Sequence, residues 1–216
     1  MKSILISINP KWCEKIASGE KTIEVRKTRP KLEMPFKVYI YCTASNIHEC
    51  LMENENGAKL IYASNYKTAI PVGGDIANGK VIGEFVCDRI EEFTPSESGV
   101  QFKRFKALYD TCLSVKEIRA YLNGKVGYGW HISDLVIYDK PRELSEFYIS
   151  DNAAIQSCKH REIVGQPEYK TAHNGWIKGS YICNANGEPD WCTKCKVKPI
   201  TRPPQSWCYV EEVHNG

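Results

Sequence analysis

The chain has 216 residues, enough for one substantial domain or for a domain with a small module. Its 42% hydrophobic and 25% charged residues are ordinary for a globular protein, and a net charge of +3 does not by itself indicate nucleic-acid binding. The charge distribution is more informative, because residues 1–40 hold nine Lys or Arg and four Asp or Glu. That excess fits either a phosphate-collecting surface or a solvated one.

The sequence favours a cytoplasmic location without a membrane partner. The apolar stretch at residues 4–6 is too short for a secretory signal, and no segment approaches the roughly 18 consecutive apolar residues of a membrane helix. In a reducing compartment, the ten cysteines are not expected to form a disulfide scaffold. Small core residues are expected instead at Cys13, Cys42, Cys50, Cys87, Cys112 and Cys208.

The predicted elements begin with a strand at residues 3–8. Asn9 and Pro10 then favour a helix start, and Gly19 favours its end. Residues 22–26 alternate as a strand does. The remaining expectations are strand 36–42, a long polar connection 43–79, strand 80–87, a helix capped by Ser114 and Glu117, strand 130–138, a helical turn at 141–147, and a last strand at 206–213.

Six or so short strands, two helices and no βαβ alternation predict an α+β fold built on a partly closed antiparallel β-barrel. Residues 151–200 differ from the rest, because they are rich in Gly, Asn, Lys and Cys and show little periodicity. We therefore expect a barrel core at 1–150, a Cys-rich insert at 151–200 before the last strand, and the closing strand and tail at 201–216.

The alternation in residues 22–26 predicts one apolar and one polar strand face. Ile23 and Val25 share the first face, and Thr22, Glu24 and Arg26 share the second. If the second face points into the barrel mouth, a hydroxyl, a carboxylate and a guanidinium line one polar groove. A solvated ladder of alternating charges, with no ligand, is the alternative.

Lys21 lies at the helix–strand junction, where its side chain can swing toward the same groove. Lys21 and Arg26 suit phosphate, and Glu24 can accept hydrogen bonds from a base amine. Lys21 and Glu24 can also form a general acid/base pair if burial shifts their pKa values.

The order of strand, capped helix and G-x-K-T-x-E-x-R resembles the ASCH domain, a relative of the PUA RNA-binding fold. Gly19, Lys21, Thr22, Glu24 and Arg26 match that signature. Residues 79–88, 129–147 and 202–212 look like the ASCH proteins of bacterial and phage genomes. The resemblance implies a PUA-like barrel with two or three flanking helices, a cleft near the first helix, and binding of RNA, a nucleotide or a modified nucleoside.

The resemblance also implies an alternative activity. Some small members of the superfamily are amidohydrolases of acylated cytidine, and ribonuclease activity has been attributed to others, which makes Lys21 and Glu24 the candidate catalytic residues. In the amidohydrolases, the residue two after the motif Thr is a catalytic Thr, and here it is Glu24. This difference favours binding over hydrolysis.

Trp130 and His131 are further candidate ligand-binding residues. Trp130 can stack on a base, and His131 can hydrogen-bond a base or titrate near neutral pH. A core tryptophan and an ordinary strand histidine are the alternatives.

The Cys-rich insert is a candidate zinc site. Cys192 and Cys195 have metal-knuckle spacing, and Cys158 and Cys183 complete a set of four, with His160 able to replace one thiolate. Such a zinc would be structural, since protein ligands fill every position. The alternatives are a loop with incidental thiols and a surface for a protein partner.

The zinc hypothesis predicts that the purified protein contains about one zinc per chain, because one four-ligand tetrahedral site holds one ion. Elemental analysis measures this directly. A metal-free protein that is nevertheless folded would contradict it.

Overall fold

The computed structural model shows a fold built mainly of β-strands, and it describes residues 2–44, 50–57, 59–62, 74–96, 99–101, 106–149 and 198–211. Its strands are β1 (Lys2–Ile8), β2 (Ile23–Arg26), β3 (Phe36–Cys42), β4 (Cys50–Glu53), β5 (Lys59–Tyr62), β6 (Gly74–Ile76), β7 (Val81–Cys87), β8 (Ile90–Ser96), β9 (Gly99–Gln101), β10 (Gly127–His131), β11 (Ser133–Arg142), β12 (Tyr148–Ile149), β13 (Lys198–Pro199) and β14 (Trp207–Glu211). Its helices are α1 (Pro10–Ala17), α2 (Lys106–Asp110) and α3 (Val115–Leu122), with a 3₁₀ turn at Leu144–Glu146. None of the helices in these ranges is long and apolar enough to cross a membrane.

Both predicted helices begin at the caps that the sequence indicates. The Asn9 side chain accepts a hydrogen bond from the Lys11 amide, and Pro10 stands at the first helical position of α1. At α3, the Ser114 hydroxyl accepts from the Glu117 amide, and the Glu117 carboxylate accepts from the Ser114 amide. These local signals are confirmed.

Two main sheets form in the described residues, and they differ from the expected antiparallel barrel. The first has the order β11-β7-β3-β1-β14, and the second has the order β2-β10-β8-β9. β1 and β3 run parallel, because α1 and β2 intervene between them, so the first sheet is mixed. The sheets are not closed on each other, and the barrel is only partly confirmed. β4, β5 and β6 form a small sheet within the expected polar connection 43–79.

The strand expected at 130–138 is two strands that belong to different sheets. The Ile132 amide donates to the Thr22 carbonyl at 2.9 Å, and the chain passes there from β10 in the second sheet to β11 in the first. The opposite passage, from β7 to β8, occurs at Asp88 and Arg89, and the Arg89 carbonyl accepts from the His131 amide. The two crossings therefore lie side by side.

The core of the described residues has three parts. Alternate β1 residues Ile4, Ile6 and Ile8 pack with Trp130 and Phe85 in the largest cluster, which also contains the predicted core residues Cys13, Cys42 and Cys87. A second cluster, around Leu5, Tyr39 and Phe147, covers the other side of the first sheet. In the third, Ile23 and Val25 pack with Phe93, Ile118 and Leu122. Cys112 and Cys208 are half-buried.

The chain on either side of residues 150–197 is joined by a short strand pair. Tyr148 pairs with Pro199 and Ile149 with Lys198, and the Ile200 amide donates to the Phe147 carbonyl at 2.8 Å. The last predicted strand follows as β14, antiparallel to β1. The Cys-rich insert lies almost wholly outside the described residues.

Gly129 marks a close approach within the second sheet. A Cβ at this position would lie 2.5 Å from the Phe93 ring and 2.8 Å from the Ile23 side chain. We therefore expect Gly129→Ala to lower the free energy of unfolding by about 1–3 kcal/mol through overpacking. Denaturant unfolding measures the change. Adding Phe93→Leu should recover part of the loss, and strictly additive effects of the two changes would contradict the steric explanation.

Candidate functional site

β2 presents its two faces as the alternation predicts, but both faces are buried. Ile23 and Val25 pack against α3, whereas Glu24 and Arg26 point toward β1 and the start of β14. Charged side chains on a buried strand face need partners there, because desolvation of an unpaired ion costs several kcal/mol.

Lys21 is almost completely buried, at 2% exposure. Its amide donates to the Lys15 carbonyl at the end of α1. Its Nζ donates to the Ile23 carbonyl at 2.8 Å and to the Thr111 carbonyl at 2.7 Å, and it lies 3.3 Å from Glu24 Oε2. Three acceptors surround an ammonium that has three hydrogens, so the charge is compensated inside the protein.

Arg26 continues the same network. Its Nη2 lies 2.9 Å from Glu24 Oε1 and donates to the Ser7 carbonyl at 2.7 Å. Its Nη1 donates to the carbonyl and hydroxyl oxygens of Ser206, each at 3.3 Å. Within the described residues, the buried Nε of Arg26 has no hydrogen-bond partner. We call Lys21, Glu24 and Arg26 together the charged network.

The charged network brings together three of the predicted site residues, but it does not form the expected open groove. Glu24 and Arg26 are each 6% exposed, because β1, β14 and the turn after α2 close over the strand. Thr22 is half-buried and is held through its backbone, whose amide donates to the Asp110 carbonyl and whose carbonyl accepts from Ile132. Ligand binding at these four residues stays a prediction.

Trp130 and His131 lie apart, because neighbouring strand residues point to opposite faces. Trp130 is 0% exposed and lies between the rings of Phe36 and Trp207, so no face of its ring is open for a base. His131 Nδ1 is 2.6 Å from Asp88 Oδ1, at the crossing between the two sheets. The imidazole is therefore held at a rim away from the charged network.

All the candidate zinc ligands lie outside the described residues, namely Cys158, His160, Cys183, Cys192 and Cys195. Among the described residues, no group of three or more His, Cys, Asp or Glu side chains is arranged to hold a metal. Structural zinc in the insert stays a prediction.

The segment after β2 carries exposed cations that the motif did not single out. Lys27 Nζ lies 4.8 Å from the centre of the Tyr121 ring, and the Arg29 guanidinium lies 5.7 Å from that of Tyr128. The third cation, Lys31, is exposed, and its amide donates to the Tyr209 hydroxyl. The 27–31 surface, as we call it, comprises Lys27, Arg29, Lys31 and the rings of Tyr121, Tyr128 and Tyr209.

Tyr121 links the 27–31 surface to the charged network. The residue is 39% exposed. The pKa of its hydroxyl is raised, mainly by burial; the charge of Arg26 lowers this pKa and the charge of Glu24 raises it. The charges of Arg26 and Glu24 in the charged network therefore act on the Tyr121 hydroxyl. The alternating cations at 27, 29 and 31 were the sequence signal for this surface; its rings come from elements distant in the chain.

Two cavities among the described residues lie elsewhere. One, of about 500 Å³, lies near the end of α1, where its charged lining is Glu14, Glu20, Glu53 and Lys15, and this net negative charge is unsuited to phosphate. The other, of about 440 Å³, lies over the outer side of the first sheet, where Glu84 accepts a hydrogen bond from Tyr138 and pairs with Lys37.

No family model matches the sequence, and no curated protein matches it. The structure resembles a crystal structure of ASCH from Zymomonas mobilis, at 19% identity and a TM-score of 0.37, covering 64% of this chain and 69% of that one. A single-residue mutant of that protein aligns at 19% identity and a TM-score of 0.38, covering 65% and 73%.

Glu24 compensates two buried cations, so its neutralisation should be costly. We expect Glu24→Gln to lower the free energy of unfolding by about 3–5 kcal/mol, because Lys21 and Arg26 would then lie buried without a counter-charge. Urea unfolding monitored by circular dichroism measures the loss.

Glu20→Gln is the matched control. Glu20 is an exposed carboxylate paired with Lys15, and its replacement should lower the free energy of unfolding far less than Glu24→Gln does. Equal effects of the two variants would show that the charged network does not stabilise the fold.

Proposed function

We propose that this protein binds RNA or a nucleotide at the 27–31 surface, which follows β2. The contacts would be made to the phosphate groups of the ligand. The unpaired cations of the segment after β2 carry this proposal. Among the described residues, Lys27, Arg29 and Lys31 form no ion pair, whereas Lys15, Lys37 and Arg142 each pair with a carboxylate. Exposed cations without counter-charges attract polyanions.

The charged network supports this surface in two ways. Its two cations and one carboxylate leave a net buried charge of about +1, which solvent screens less than an exposed charge. Its hydrogen bonds to Ser7, Ser206 and Thr111 also fix the strand from which the exposed cations follow. Binding thus requires no rearrangement of β2, which lowers the entropic cost.

The arrangement of Lys21 favours binding over hydrolysis. A general base needs a free lone pair within reach of substrate, and Lys21 Nζ is surrounded by three oxygen acceptors at 2% exposure. In this position Lys21 acts as a structural cation. Glu24 likewise has each carboxylate oxygen next to a cation.

The experiment is a titration of a labelled 12-nucleotide RNA and of cytidine monophosphate with the full chain, at several salt concentrations. We expect binding of at least one of them, weakened by salt, because phosphate binding releases counterions. The variants Lys21→Ala and Arg26→Ala should bind at least tenfold more weakly, and Lys15→Ala, at an exposed cation already paired with Glu20, should bind as the wild type does.

Circular dichroism establishes whether each variant is folded. Wild-type protein that binds neither probe at low salt would overturn the proposal, whether or not the variants fold. Equal affinity of wild type, Lys21→Ala and Arg26→Ala would show that the charged network does not contribute to binding.

A further inference from the structure

We infer that β14 regulates the 27–31 surface, because the segment that carries the three cations keeps its shape only while β14 is docked on β1. This inference rests on the proposed function and names the element that controls the same site. By thermodynamic linkage, a ligand bound to the cations then stabilises the docked strand by the same factor by which docking strengthens ligand binding.

β14 contacts the segment after β2 at two places. The indole Nε1 of Trp207 donates a hydrogen bond to the Thr28 hydroxyl at 3.0 Å, and the Tyr209 hydroxyl accepts one from the Lys31 amide at 2.8 Å. The two rings lie side by side on one face of β14, with their centroids 5.4 Å apart. One strand therefore fixes the segment both near its start and at its end.

The residue before β14 is bound to the end of β2 in the same way. Arg26 Nη1 donates to the carbonyl and hydroxyl oxygens of Ser206, each at 3.3 Å, and the Ser206 carbonyl also accepts from the Ser7 amide at 2.9 Å. Contacts from positions 206, 207 and 209 thus reach positions 26, 28 and 31 in the same order along both segments. A movement of β14 away from β1 would break these contacts together, so docking of β14 and the shape of the segment form one equilibrium.

β14 is also an element that can open locally. It lies at the edge of the first sheet, and among the described residues β1 is the one strand that pairs with it. Residues 201–205, which lead into it, are mostly exposed. Such elements open at a lower free energy than the whole protein unfolds. Opening of β14 releases Thr28 and Lys31, and the three like charges, which repel one another, then lose their shared arrangement.

The first test uses no ligand and follows amide hydrogen exchange by NMR. Tyr209→Phe removes the acceptor of the Lys31 amide but keeps the ring, so this amide should exchange about tenfold faster, as expected for the loss of one hydrogen bond. Tyr138→Phe is the matched control, because the Tyr138 hydroxyl donates to Glu84 on the outer side of the first sheet. It should leave the exchange of the Lys31 amide unchanged. An unchanged rate in Tyr209→Phe would overturn the inference.

The second test shows whether the contact from β14 positions the cations. Trp207→Phe and Thr28→Val each remove one partner of the same hydrogen bond, and each should weaken binding of a labelled 12-nucleotide RNA about fivefold. The double variant should bind about as weakly as the weaker single variant, since the bond can be lost only once. Thr28→Ser keeps the hydroxyl and should bind within about twofold of the wild type. Additive losses in the double variant, or equal affinity of all variants and the wild type, would overturn the inference.

The third test measures the reciprocal effect on the strand. Amides that exchange faster than global unfolding allows report local opening, and they are compared in β14 and in β11, at the opposite edge of the sheet. RNA at about 100 times its dissociation constant should slow exchange in β14 about 100-fold, because the ligand binds only the docked form. Exchange in β11 should change little. Slowing in β14 that is no greater than in β11, or an absence of local opening in β14, would overturn the inference.

The outcomes distinguish this inference from the proposed function. Wild-type protein that binds neither RNA nor nucleotide ends both. RNA binding that is unchanged in Trp207→Phe, together with unchanged exchange in β14 when RNA is bound, ends this inference alone and leaves the proposed function in place.

Discussion

The carboxylate of Glu24 lies between two buried cations, and the position of β2 depends on that arrangement. Lys21 extends the contact to the turn after α2, and Arg26 extends it to β1 and to the residue before β14. One acidic group therefore connects segments that are about 180 residues apart in the chain. Each ion alone would be too costly to bury, and the three together are compensated because backbone carbonyls accept the remaining hydrogens.

Residues that stabilise the fold and residues of the proposed binding surface are therefore only a few positions apart in the chain. The charged side chains of β2 turn inward and fix the strand, so they are not displayed to a ligand. The residues that follow β2 therefore begin from a fixed position. The Thr28 hydroxyl accepts a hydrogen bond from Trp207 and Pro30 is buried, whereas Lys27, Arg29 and Lys31 are exposed. The charged network and the 27–31 surface carry the same sign of net charge, which is the electrostatic basis of the proposed phosphate binding.

Local features were predictable where local chemistry decides them, as at the caps of α1 and α3 and in the alternation of β2. The burial of both β2 faces was not, because alternating charge normally indicates a wet face, and only tertiary contacts show that Lys21, Glu24 and Arg26 compensate one another. The break at Ile132 likewise depends on a hydrogen bond that its amide donates to the distant Thr22 carbonyl. Alternation alone could have predicted that Trp130 and His131 lie on opposite faces. The position of Tyr121 of α3 beside Lys27 depends on tertiary contacts, so the sequence did not predict it.

The pairing of β12 with β13 has a consequence for how this architecture can vary among related proteins. Ile149 and Lys198 are neighbours across two strands, so the described residues before position 150 and after position 197 meet at one place. The entropic cost of closing a loop grows only with the logarithm of its length, by about 0.6 kcal/mol for each doubling. Segments of very different length can therefore be inserted between β12 and β13 without moving β1, β2 or β14. Diversity at this point would leave the charged network untouched.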